Sequence, residues 1–214
     1  MSFDIAKTAT LQAIATENEQ QLADDLQQRV DVGLRQAEEQ PEVIEATEAQ
    51  CLAEAHLAKL QRAERALSQF AKEMGDKISA FRAAALDGVI ESAASGSKPD
   101  FKALTELAAI ETRSRHASRA IERLVEQRIP VALIARLRGE SHAALAKARA
   151  IERIAQERAE KLLGQLRDAV SEEVVLPVDM SKGVSGALLA YAARYKSHAV
   201  QLSENADQLE RARR

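Results

Sequence analysis

A chain of 214 residues has room for one or two ordinary domains, but only 3% of it is aromatic, 29% is charged and it has no Trp. Ala, Glu, Arg, Leu and Gln dominate, which suits thin helix–helix seams, and eight Gly with four Pro leave few places for turns, excluding a sheet-rich fold. A net charge of −3 is too close to neutral to single out a polyanion or a polycation as partner.

The first expected element covers residues 3 to 39, where Leu11, Ile14, Leu22, Leu26, Val30 and Leu34 recur at helical spacing around a single Gly33. Pro41 is expected to end or kink it, since proline disfavours a helical Gln40 and has no N–H to donate. A second helix is expected from about 41 to 93. Its apolar stripe is a heptad, with Leu60, Leu67, Met74 and Phe81 seven apart, Ala63 and Phe70 in the intervening positions, and Leu57, Ile78 and Ala85 beside them. Some 50 helical residues reach about 75 Å, too long to bury a stripe within a compact domain, so a partner helix of similar length is required.

The cluster Ser95-Gly96-Ser97-Lys98-Pro99-Asp100 is the clearest break, with Pro99 or Asp100 suited to the first turn of the next helix. So short a connector between long helices predicts the tip of an antiparallel hairpin. The third helix carries Leu107, Ile110, Ser114, Ala117, Ile121 and Leu124 in a four–three alternation. At Pro130 apolar residues continue on both sides without turn residues, which predicts a kink rather than a stop. The pattern then continues through Leu145, Ala148, Ile151, Ala155, Leu162, Leu166 and Val170. Residues 174 to 183 are apolar yet loop-like, a linker expected to pack on the helices, and a last helix is expected from about 184 to 212.

The expected fold is therefore all-α, a long antiparallel helical hairpin or coiled coil with additional N- and C-terminal helices. Its organisation is an N-terminal helix (1–40), a hairpin (41–173) with its tip near 94–100 and a kink near 130, and a packed linker with a terminal helix (174–214). This order is loosely similar to that of the membrane-remodelling ESCRT-III and phage-shock-protein group. Many unrelated helical scaffolds share it, and no residue is carried over from the likeness.

Chemistry-bearing motifs are few. Cys51 is the only cysteine, which rules out an internal disulfide, and its neighbours Leu52 and Ala53 predict a buried structural thiol. His56, His116, His142 and His198 stand on four different segments, and none has a Glu three residues before it; they are expected on helix surfaces. Gly-rich phosphate loops and nucleophile elbows are absent from the sequence. No catalytic, cofactor or metal residue is assigned, and a non-enzyme is expected. The first residues show no basic region followed by an apolar run, and no stretch approaches the ~18 apolar residues of a membrane span, so a soluble cytoplasmic protein is expected. Phe3, Ile5, Leu11 and Ile14 offer a weak membrane-surface face with Lys7 as its only cation.

The most distinctive feature is basic. Arg113, Arg115, Arg119, Arg123, Arg128, Arg136 and Arg138 stand against only Glu122 and Glu126. Arg115, Arg119 and Arg123 are four apart and form one stripe, which could meet glutamates of a neighbouring helix or subunit, hold phosphates or lipid head groups, or face solvent. Arg211, Arg213 and Arg214 form a weaker basic spot at the C-terminus.

The leading expectation is a non-enzymatic structural or assembly protein that self-associates as a homo-oligomer. Its packing seam is Leu60, Leu67, Phe70, Met74, Phe81, Ile110, Ile121 and Leu124. Alternatives are a coat on a membrane surface or nucleic acid through the arginine stripe, and an adaptor with a protein partner in a larger secretion or phage-like assembly.

Overall fold

In a computed structural model of the chain, the backbone is described over residues 3–98, 101–171 and 181–213, and side chains over 20–98, 101–165 and 183–213. Every element there is helical: α1 (Phe3–Glu38), α2 (Pro41–Ala94), α3 (Lys102–Arg123), a π-helical turn (Leu124–Arg128), α4 (Ile129–Ser171) and α5 (Ser181–Ala212). The expected apolar face of Phe3, Ile5, Leu11 and Ile14, the helix-start role of Pro99 and Asp100, the side chains of Leu166 and Val170, and most of the linker at 174–183 lie outside the described residues.

Three local rules divide the helices. Pro41 opens α2 at a position where a missing N–H costs no helical hydrogen bond, while Val43 and Ile44 donate to the Gln40 carbonyl. Gly96 closes α2 in the left-handed region at φ 72°, with its N–H on the Ala93 carbonyl and the Ser97 N–H on that of Ser92. That double return satisfies two carbonyls of the last turn, and it needs a residue without Cβ. At Pro130 the helical run continues. The Ile129 N–H reaches back five residues to the Leu124 carbonyl, so the wide turn stands where the proline ring would crowd a regular ladder.

The residues divide into two compact units, Met1–Gln50 with Leu137–Asn205, and Cys51–Arg136 with Ala206–Arg214. In the first unit α4 is the common partner. Its Ala143, Ala146, Ala148, Ala150, Ile151, Ile154 and Ala155 form one cluster with Val30 and Ala37 of α1, Val43 and Ala46 of α2, and Val184, Leu188 and Ala192 of α5. Among the described residues the largest fully buried side chains are Ile151, Leu188 and Val30, so this core closes by near approach of backbones rather than by filling with rings. Gly33 shows how near: a Cβ there would stand 3.1 Å from both methyls of Leu188, which is itself wholly buried.

Polar clamps frame this cluster. The Ser141 hydroxyl donates to the Ala199 carbonyl at 2.8 Å, joining α4 to α5 inside the core. Arg158 donates to the Arg29 carbonyl at 3.1 Å and to Gln36 at 3.2 Å, and Arg153 pairs with Glu42. Lys147 pairs with Glu38 of α1 while its ammonium lies 5.2 Å from the ring centre of Tyr195 on α5. Burial acts to lower the Lys147 pKa, but hydrogen bonds to Glu38 and Tyr195 outweigh it and hold it above the ordinary lysine value.

In the second unit Leu57, Leu60, Leu124 and Ala132 form a smaller cluster backed by Leu67, Ile129 and Leu133. Met74 and Ala85 of α2 and Leu107 and Ala117 of α3 are also buried. An ion pair of 2.6 Å between Arg82 and Glu111 links α2 to α3.

Two predictions test this packing. Alanine is about 1 kcal/mol better than glycine inside a helix. Gly75, with nothing within 4 Å of an added Cβ, should therefore gain thermal stability as Gly75→Ala, whereas Gly33→Ala should lose it by pushing Leu188. Thermal melts by circular dichroism decide this, and equal gains at both sites would contradict the close approach of α1 and α5. For Lys147 the folded pKa is raised, so its contribution is complete below the unfolded lysine pKa and is lost as pH rises through the folded one. The stability difference between wild type and Lys147→Met should be flat from about pH 6 to about pH 9 and should shrink above the lysine range. Denaturant titrations across pH measure it.

Candidate functional site

Two surfaces of the second unit hold the residues singled out by the sequence. The first is apolar. Along α2, Leu57, Leu60, Met74 and Ala85 are buried and Leu67, Ile78 and Phe81 half-buried, as are Glu64 and Ala71 between them. Leu57 lies three residues before Leu60 and sets the side toward which the heptad turns. The intervening positions of the stripe are consequently Glu64 and Ala71 rather than the expected Ala63 and Phe70. Ala63 is exposed, and Phe70 keeps 37% of its surface. On α3 and the π turn the spacing of four and three holds throughout: Leu107, Ala117 and Leu124 are buried, and Ile110, Ser114 and Ile121 half-buried. Near the α2–α3 connection Leu86, Ile90 and Phe101 remain exposed, at 49%, 64% and 58%.

The second surface is basic. A groove of about 720 Å³ opens between α2 and the run from α3 into the π turn. Lys59 stands on one wall, His116, Arg119, Arg123 and Arg128 stand on the other, and Leu60, Ala63, Ala120 and Leu124 complete the lining. The lining contains no carboxylate and no Phe, Tyr or Trp. Among the described residues, no carboxylate lies within ion-pair distance of any of the five basic side chains.

The stripe expected from spacing was Arg115, Arg119 and Arg123, and two of the three line this groove. Arg115 is outside the lining, 3.9 Å from Glu111 and 71% exposed. Arg128 takes its place for a reason that spacing did not reveal. Five residues of regular helix would set Arg128 about 140° around the axis from Arg123, at about 100° per residue. The π turn absorbs one extra residue, so Arg128 stands roughly as if four residues on, about 40° from Arg123. Lys59 comes from another helix, and a scan of one helix face could not find it.

The remaining candidates stay apart. His56, His116, His142 and His198 are all exposed; His198 lies 3.6 Å from Glu140, and His142 lines a pocket with Glu42, Glu45, Arg149 and Arg153. Among the described residues no three His, Cys, Asp or Glu side chains gather as metal ligands. Cys51 corrects an expectation: the thiol is exposed, not buried, and Leu52 beside it is 73% exposed. The buried face of α2 runs through Val43, Ala46, Leu57 and Leu60, and Cys51, five residues past Ala46, falls on a different side of the helix. Adjacency in sequence to apolar residues does not place a side chain on their face. No helix among the described residues is long and apolar enough to cross a membrane. In comparisons with known proteins, no family model, curated protein or solved structure matches the chain.

Proposed function

We propose that the protein is a non-enzymatic helical scaffold whose α2 and α3 form a coiled-coil-like antiparallel hairpin, and that copies of the chain associate through it into a homo-oligomer. The observation that carries this reading is the uneven cover of the apolar residues. The stripes from Leu57 to Ala85 and from Leu107 to Leu124 are covered within one chain, yet Leu86 and Ile90 stay largely exposed, with Phe101 close to them in sequence. Large apolar side chains left exposed four residues apart on one helix, as Leu86 and Ile90 are on α2, suit an association surface better than a solvated face. A second copy supplies the same apolar chemistry in reverse direction, as a two-fold pair requires. The all-helical fold and the lack of a metal-ligand cluster among the described residues are consistent with a structural role.

Light scattering coupled to gel filtration tests this over a concentration series. Wild type should run above the 23.3 kDa of one chain, and Leu86→Ser with Ile90→Ser should return it toward that mass. Both residues are already exposed, so the double variant should melt within a few degrees of wild type. A wild type of single-chain mass at every concentration would refute self-association.

A further inference from the structure

The basic groove is not used by the apolar association just proposed, and it stands on separate observations. Its lining holds Lys59, His116, Arg119, Arg123 and Arg128 together with Leu60, Ala63, Ala120 and Leu124, in a volume typical of a small-molecule site. Lys59, Arg119, Arg123 and Arg128 are four like charges facing one groove, and like charges repel one another. Ion-pair partners on neighbouring helices would relieve that, and the alternative offered by the sequence was that glutamates of an adjacent helix answer these arginines. No such carboxylate reaches Arg119, Arg123 or Arg128 among the described residues. The π turn adds to the crowding by rotating Arg128 onto this side, where a regular helix would have carried it away.

We propose that this groove binds a compact ligand bearing several phosphate groups. Guanidinium forks match phosphate oxygens two at a time, and charges from both walls can close on a ligand that fits between them. The shape and lining argue against two other anions. A nucleic-acid strand is held by a long basic track with several aromatic platforms for its bases, and this groove of about 720 Å³ offers no Phe, Tyr or Trp and a single imidazole, that of His116. A single carboxylate would leave most of the five basic groups unanswered. Linked phosphates answer them together, whether they arrive as a free oligophosphate or as the head group of a polyphosphorylated lipid.

The test measures binding of the full chain to two probes at low ionic strength: inorganic tripolyphosphate by calorimetry, and phosphatidylcholine vesicles with or without phosphatidylinositol bisphosphate by co-sedimentation. Saturable binding to tripolyphosphate assigns a soluble source, and binding only to the bisphosphate vesicles assigns a head group; either supports the site. Affinity should fall steeply with added salt. Arg123→Gln with Arg128→Gln should weaken the bound probe by about tenfold or more. Arg115→Gln, exposed on the same helix but outside the groove, should change it less than about twofold. All these positions are exposed, so each variant should remain folded, which circular dichroism checks. Binding to neither probe overturns the proposal, as does an Arg115→Gln loss equal to that of the groove variant, which would mean a diffuse basic surface. Because the oligomer variants lie elsewhere on α2, failure here leaves self-association standing, and the reverse is equally true.

Discussion

A helix whose buried stripe is made of alanine and leucine can gain stability only along its length. Each alanine contributes little buried area, so many must be covered in series, and the covering surface has to come within a side chain's breadth of the backbone. The alanines of α4, from Ala143 to Ala155, meet this condition by taking α1, the start of α2 and α5 as neighbours. Gly33 against Leu188 is the tightest expression of the same requirement. Where neighbours come so near, a single methyl is enough to disturb the fit, and specificity rests on small residues rather than on interlocking large ones.

Such seams direct register weakly, and polar contacts supply what shape does not. Ser141 fixes α4 against α5 through a backbone carbonyl, and Lys147 joins Glu38 and Tyr195 across three helices. Exposed pairs such as Arg82 with Glu111 contribute little energy each. The Arg82–Glu111 pair does penalise sliding of α2 along α3, because a shift of one turn separates its partners.

Much of this was legible in the sequence because backbone rules are local. Pro41 starts α2, Gly96 ends it, and the stripe from Leu107 to Leu124 keeps its spacing. Pro130 signalled a disturbance without a stop, but the sequence did not say that a π turn would be its form. The rest was hidden by rotation about helix axes. Ala63 or Glu64 could have completed the heptad after Leu60, and only the three-dimensional neighbours of Leu57 decide between them. Cys51 was misplaced for the same reason, and so was the third member of the arginine stripe, where one inserted residue exchanged Arg115 for Arg128. Lys59 belongs to a different helix and no periodicity could have joined it to the set.

The central claim is that one chain covers only part of the apolar surface on its long helices and that a second copy covers the rest. Hydrogen–deuterium exchange measured over a range of protein concentrations addresses it without any substitution. The account predicts that amides from about Leu86 to Ile90 and around Phe101 exchange more slowly as concentration rises, while those of α4 between Ala143 and Ala155 do not change. Exchange around Leu86, Ile90 and Phe101 that is fast and independent of concentration would contradict it.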